Sequence, residues 1–171
     1  MDVPIEFERR FWNEWNKCRE QDQGDVSKDQ MEMLHRWLEG RSGLRILDAG
    51  CGSGWTAKAL LQYGSVVGTD LADEAITRAR ARVPEATFIA GDFMKLDLGE
   101  RFDVVVCLEV LSHVADQQAF IERLAKTLKP GGELLLATQN RRVLERSSHI
   151  APVQPGQRRR WLDRAELLEM L

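Results

Sequence analysis

A doubly wound α/β sheet, mostly parallel, is the fold class this sequence predicts, and three observations predict it. Residues 44–55 read as a short apolar strand (Leu44, Ile46, Leu47) closed by Asp48, then a loop with glycine at alternate positions (Gly50, Gly52, Gly54), then a helix opening at Trp55. From there to Thr138, strand-length apolar runs alternate with helical periodicities, and connections of this length imply right-handed crossovers between parallel strands. The strands also end on Asp48, Asp70 and Gly91-Asp92, in the register where an open α/β sheet takes its ligand.

Taken in order, residues 6–20 predict an amphipathic helix with Phe7, Phe11, Trp15 and Cys18 as its packing stripe, and Trp12 off that stripe. Gln21 to Asp25 reads as a polar loop. Ser27-Lys28-Asp29-Gln30 has the form of a capping box and opens a second helix, with Met31, Leu34, Trp37 and Leu38 inward and Gly40 as its stop. A helix over Trp55–Tyr63 is expected to bury Trp55, Ala59, Leu60 and Tyr63, and Ser65–Thr69 is the second strand. Asp73–Val83 carries its acids early and its arginines late, as a helix dipole favours. Ala86–Ala90 follows as a third strand, and Phe102–Leu108, the most apolar run, is the candidate central strand. Gln117–Leu128 predicts a helix burying Phe120, Ile121, Leu124 and Leu128, and Lys129 to Gly132 turns it into the strand Glu133–Thr138. A last helix begins near Asp163, with Leu162, Leu167, Leu168 and Leu171 apolar. The chain therefore divides into an N-terminal helical segment (1–43), a ligand-binding core (44–140) and a basic loop with a C-terminal helix (141–171).

Composition bounds the function. A chain of 171 residues, 43% hydrophobic and 30% charged, suits one soluble domain. No apolar run approaches the ~18 residues of a membrane span, and the first residues are no signal peptide, so a cytoplasmic protein is expected. Cys18, Cys51 and Cys107 are odd in number, far apart and without a Cys-x-x-Cys, which argues against disulfides and zinc. The net charge of −3 does not suggest a nucleic-acid partner. Residues 141–171 nevertheless carry +3, leaving −6 on the remainder.

The glycine spacing departs from the dinucleotide pattern G-x-G-x-x-G, and a carboxylate directly before the loop suits a cationic ligand better than a pyrophosphate. Asp48-x-Gly50-x-Gly52-x-Gly54, Asp70, Gly91-Asp92-Phe93, Phe102–Val114 and Leu128-Lys129-Pro130-Gly131-Gly132, in this order, resemble the class I S-adenosylmethionine (SAM)-dependent methyltransferases. The likeness covers about residues 44–138 and is nearest to small-molecule methyltransferases of ubiquinone and menaquinone biosynthesis. It implies a Rossmann-like sheet and SAM as cofactor. Asp48, Gly50, Cys51 and Gly52 would lie at its methionine part, Asp70 and Leu71 at the ribose and adenine, Asp92 and Phe93 at the adenine, and the Leu108 carbonyl at the amino group. In ubiquinone-type relatives the segment matching Glu109–His113 is Glu-x-x-Glu-His and can hold a divalent cation. Here Ser112 replaces the second Glu, and no metal is expected.

The resemblance also implies seven strands in the order 3-2-1-4-5-7-6, of which this chain supplies five. Without the last two, Glu133–Thr138 is a bare sheet edge, so truncation or a short family member is expected, with a homodimer or a covering C-terminal helix as the outcome.

A sulfonium methyl is already an activated electrophile, so the protein mainly has to hold the nucleophile behind it and exclude water. A hydroxyl acceptor would benefit from a base, and His113 is the candidate; the alternative is a histidine that packs its turn. His35, in a helix, and His149, in a loop, offer no constellation. Trp12 and Trp15 are candidates to lid the cofactor, or simply pack. Arg141, Arg142, Arg146 and Arg158–Arg160 against Glu145 give a local +5, read either as a site for an anionic small-molecule acceptor or as a solvated loop. Three functions stay open: methyl transfer to a small molecule, SAM binding without catalysis, and a nicotinamide-dependent oxidoreductase. The glycine spacing and the lack of a separate substrate domain disfavour the last.

Overall fold

A computed structural model of the chain describes residues 3–18, 24–147 and 150–171. Part of the polar loop expected at Gln21–Asp25, and His149, lie outside the described residues. At the centre is a five-stranded, all-parallel sheet of β1 (Leu44–Ala49), β2 (Gly64–Asp70), β3 (Thr87–Ala90), β4 (Phe102–Leu108) and β5 (Leu128–Ala137), in the spatial order β3-β2-β1-β4-β5. Side chains of a strand alternate between faces, so each central strand feeds two cores. Ile46, Val104, Val106 and Leu135 point to one, with Leu34, Leu38, Leu60 and Ile76. Leu47, Val105 and Cys107 point to the other, with Phe120, Ile121 and Leu124. A strand buried on both faces cannot alternate with polar residues, which is why β4 is the most apolar run in the chain.

The helices are α1 (Ile5–Cys18), α2 (Gly24–Leu38), α3 (Trp55–Leu60), α4 (Asp73–Arg82), α5 (Gln117–Thr127), α6 (Arg141–Leu144) and α7 (Arg164–Met170), with short 3-10 turns at Leu61–Tyr63 and Leu111–His113. Several differ from the sequence reading. In α1 the Phe7-Phe11-Trp15-Cys18 stripe is not the packed face: Phe7 is 59% exposed and Trp15 42%, while Asn13 is buried. The Asn13 amide donates to the Asp73 carboxylate at 2.8 Å and its oxygen accepts the Glu74 N–H at 3.1 Å. The helix is thus laid on the start of α4, which lacks a side-chain cap of its own. Ser27 to Gln30 lies inside α2 rather than opening it. Leu34 and Leu38 are buried as expected, but Trp37 is exposed. In α3 the buried residues are Ala57 and Leu60, not Trp55. Lys129 to Gly132 bulge from β5, whose regular pairing with β4 resumes at Glu133.

Beyond β5, Asn140 caps α6 and makes an isolated parallel bridge to Leu162. Asp163 and Glu166 form a reciprocal capping box on α7, and Arg141 grips both carboxylates at 2.8 and 3.0 Å. Leu162 is buried, and Leu167 and Met170 pack with Leu134 and Leu136. Leu168 and Leu171, expected apolar contacts, are exposed. The C-terminal segment therefore covers part of one face of the sheet, while among the described residues no strand pairs with the outer edge of β5. No helix among them is long and apolar enough to cross a membrane.

Candidate active site

The carboxyl ends of β1, β2, β3 and β4 open into one cavity of about 500 Å3. Its floor is the loop after β1. Gly50 and Gly52 have φ of 85° and 50°, a backbone conformation that disfavours a Cβ. The space above them is taken as well: a Cβ on Gly50 would stand 2.1 Å from Val110 Cγ2, and one on Gly52 2.6 Å from Asn16 Oδ1. The loop hangs from β2, since the Gly50 and Cys51 amides both donate to the Thr69 carbonyl, at 2.8 and 3.0 Å.

The residues singled out in the sequence take different places. Gly50, Gly52, Asp70, Leu71, Asp92, Phe93, Leu108 and His113 all line the cavity. Asp48 and Cys51 do not. The Cys51 side chain turns down against Gly68 beside Phe88, and burial pushes its thiol up, so it is no thiolate nucleophile. Asp48 lies beneath the loop, 2% exposed, accepting the Ala57 amide at the start of α3 while Oδ2 has no partner. Burial first, and the neighbouring Asp70 charge second, raise its pKa from 3.8 to about 7.

Asp70 accepts the Gly52 amide on Oδ2 and the Ala72 amide on Oδ1, both at 2.8 Å, and burial raises its pKa. Asp70 also takes the Leu71 amide, and a carboxylate with about four lone-pair sites still has acceptor capacity left for a ligand diol. Asp92 accepts the Met94 amide at 3.0 Å and faces Lys95 at 3.5 Å, so it closes its own turn as well as lining the cavity. Phe93 beside it stands edge-on to Phe120, with ring centroids 5.4 Å apart.

Glu109, just past β4, has φ 60°, the one positive value recorded for a non-glycine residue among the described ones. Its N–H donates to the Ala137 carbonyl at 2.9 Å, and Gln30 of α2 donates to its carboxylate at 2.8 Å. Ser112 is buried and donates its hydroxyl to Gln139 at 2.7 Å. His113 Nδ1 lies 2.7 Å from the Arg158 carbonyl. A carbonyl can only accept, so Nδ1 carries the proton and Nε2 keeps the lone pair. Burial holds the ring below the ordinary imidazole pKa of 6.5, and the bond to Arg158 opposes that in part. Ser112 stands where a carboxylate would be needed and spends its hydroxyl on Gln139, and among the described residues no three His, Cys, Asp or Glu side chains converge to hold a divalent cation.

The roof comes from the two ends of the chain. Glu8, Trp12, Trp15 and Asn16 of α1 line the cavity, and the Trp12 ring meets that of His113 at 4.7 Å. From the C-terminal side comes Arg158, whose Nε donates to the Glu8 carboxylate and whose Nη2 donates to the Val3 carbonyl at 2.8 Å. The rest of the basic segment is spent on structure or turned outward: Arg141 holds the α7 cap and Arg159 binds the Ala151 carbonyl. His35 bonds Tyr63 at 2.8 Å, away from the cavity. Glu8, Asn16, Gln30 and Val110 escaped the sequence reading, because their partners lie tens of residues away and no local spacing marks them.

The family described as methyltransferase domain matches residues 47–136. The ubiquinone biosynthesis O-methyltransferase of Idiomarina loihiensis is 34% identical over 161 residues, covering 85% of this chain and 66% of that protein. That of Azorhizobium caulinodans is 40% identical over 135 residues, covering 75% and 53%. This chain thus spans about half to two thirds of the length of such relatives. Among solved structures, an N-methyltransferase of Bradyrhizobium japonicum in complex with S-adenosyl-L-homocysteine superposes with a TM-score of 0.60 at 26% identity, over 66% of this chain and 62% of that one.

Proposed function

The chain belongs to the class I SAM-dependent methyltransferases, and we propose that it binds SAM in the cavity above the glycine loop and transfers a methyl group to a small-molecule hydroxyl acceptor. The observation that carries this reading is the single cavity joining the Gly50–Gly52 floor and the Asp70 and Asp92 strand ends to a neutral histidine. The donor set fits the cofactor. Asp70 has lone pairs for a ribose diol, Leu71 and Phe93 offer apolar walls to a flat base, and the loop glycines with the Leu108 carbonyl lie at the methionine end. Asp48 and Cys51 shape that end from beneath the loop, Asp48 through the net negative field it shares with Asp70 when ionised.

Bound SAM supplies a methyl group on a sulfonium, already activated for transfer. What remains for the protein is to hold the acceptor oxygen, exclude water and take up a proton. His113 is neutral, its Nδ1 proton held by the Arg158 carbonyl, so Nε2 is the atom that accepts the acceptor's proton. Trp12 and Trp15 of α1 close the site from the 1–43 segment, and Arg158 lines it from the C-terminal segment. Glu8 answers the Arg158 charge, which favours a neutral acceptor over an anionic one. Three unpaired cysteines suit a reducing, cytoplasmic setting.

Titration calorimetry tests the reading. SAM and S-adenosylhomocysteine are expected to bind in the micromolar range and NAD not at all. Asp70→Ala is expected to weaken SAM binding by about 1.5–3 kcal/mol, the worth of charge-assisted hydrogen bonds. Uptake of NAD in place of SAM would overturn the assignment, and an unchanged isotherm in Asp70→Ala would remove that residue from the site.

A further inference from the structure

The segment 156–160 touches both the roof and the base. On one side it lies against α1. Gly156 has φ +86° and passes so close that a Cβ there would stand 2.6 Å from the Phe7 carbonyl, and the Arg158 guanidinium binds Glu8 and the Val3 carbonyl. On the other side it is stitched to the turn that carries His113. The Arg160 N–H donates to the Ser112 carbonyl at 2.8 Å, and Gln117 Nε2 donates to the Arg160 and Leu111 carbonyls, both at 2.9 Å. One residue stands in both sets of contacts. The Arg158 side chain holds the start of α1, and its main-chain carbonyl holds the His113 Nδ1 proton at 2.7 Å. One helical turn beyond Glu8, Trp12 lies against the same imidazole.

We propose that Arg158 is a positioning residue that couples the seating of α1 over the cavity to the tautomer and orientation of His113. When Glu8 and Val3 hold the guanidinium, the Arg158 carbonyl is fixed beside Nδ1, Trp12 shields the ring, and Nε2 presents its lone pair to the acceptor. When α1 lifts, the same displacement releases the carbonyl and admits water to the ring. The base is then competent only under a closed roof, which ties proton removal to exclusion of solvent. The consequence for catalysis rests on the reading of His113 as the base; the coupling itself does not.

The test reads His113 directly, by long-range proton–nitrogen correlation of the full chain labelled with nitrogen-15 histidine. Three histidines are present, and His113→Gln assigns the signal. The charged groups that share the cavity or lie beside the ring are Glu8 of α1, Arg158 and Arg159, Glu109 and Asp116 flanking its own turn, and Asp70, Asp92 and Lys95 from the ends of β2 and β3. In the unaltered chain a single neutral tautomer, protonated at Nδ1, is expected, with a titration midpoint below the ordinary 6.5. In Glu8→Gln and in Arg158→Met both tautomers should be populated and the midpoint should rise towards 6.5, because burial is the largest effect on the ring and outweighs the bond to the Arg158 carbonyl. The double variant should match either single one. His113 signals unchanged in both single variants would overturn the proposal, as would a double variant shifted by the sum of the two. Glu8→Gln, which removes the charge that holds the guanidinium while keeping the side-chain volume, is the decisive variant should Arg158→Met fail to fold. A His113 that responds to Glu8 although His113→Gln leaves turnover intact would sustain the coupling and refute the base, so the two readings fail separately.

Discussion

A carboxyl group enclosed by protein must either find partners for both oxygens or keep its proton, and Asp48 does half of each: one oxygen receives the Ala57 amide and Oδ2 receives nothing. Its pKa is raised, so the folded chain holds the proton to about pH 7 while the unfolded chain releases it near 3.8. The associated stability is fully present below pH 3.8 and is lost as the pH rises through about 7. The gap between those values bounds the loss at about 4 kcal/mol. Asp48→Asn removes the ionisation, so the urea midpoint of the variant should gain on that of the unaltered chain across this window. Parallel midpoints from pH 4 to 8 would show that the carboxyl is already ionised or already satisfied. The sequence marks Asp48 as a strand-end acid before a glycine loop, and Asp70 and Asp92 likewise, because strand ends and glycines are local signals. Whether an acid lines the cavity or lies beneath it is decided by the path of the loop, which hangs from Thr69, and no spacing reveals that.

At the scale of elements, helix periodicity located α1 but chose the wrong face. The pattern method assumes that the most apolar stripe is the packed one. Here the helix is laid across the start of α4 and the mouth of the cavity, so Asn13, Glu8 and Asn16 turn inward and Phe7 turns to solvent. β4 was legible to the residue because a strand buried on both faces has no competing pattern. The packing of α1 has a specific hinge point. Asn13 supplies α4 with the cap that Ala72 cannot, through the Glu74 amide, and it also donates to Asp73. Asn13→Ala is expected to cost about 1 kcal/mol, the usual worth of a side-chain cap, visible as a lower urea midpoint. An unchanged midpoint would mean that α1 is held by Trp12 and the Arg158 contacts alone.

At the scale of the molecule, the sheet ends differently on its two sides. Sequence reading counted five strands and placed Leu134 to Leu136 on an edge, which the strand order confirms. It also expected a covering C-terminal helix, and the structure separates two senses of that word. Leu162, Leu167 and Met170 cover part of a face, with Leu134 and Leu136, while Leu135 packs into the opposite core. The outer edge is untouched by any strand among the described residues. Every second amide of Leu134–Leu136 turns away from β4, and beyond the bulge at 129–132 neither proline nor lysine blunts this run. An unpaired apolar edge of this kind is a template for a second chain. We therefore expect the 171-residue chain to associate in a concentration-dependent manner on sedimentation. Amide exchange at the outward positions of β5 should be fast when the chain is dilute and slow when it is associated, while β4 stays protected throughout. Lysine in place of Leu135 would also damage the core, so the edge is better blocked by Leu134→Pro or Leu136→Pro, whose amides both point outward, opposite in phase to Ala137, whose carbonyl faces β4, since proline removes a donor the native sheet does not use. That variant should sediment as a monomer and retain SAM binding. A chain that remains monomeric at every concentration, with all three amides as slow as those of β4, would show the edge to be covered and the argument to be wrong.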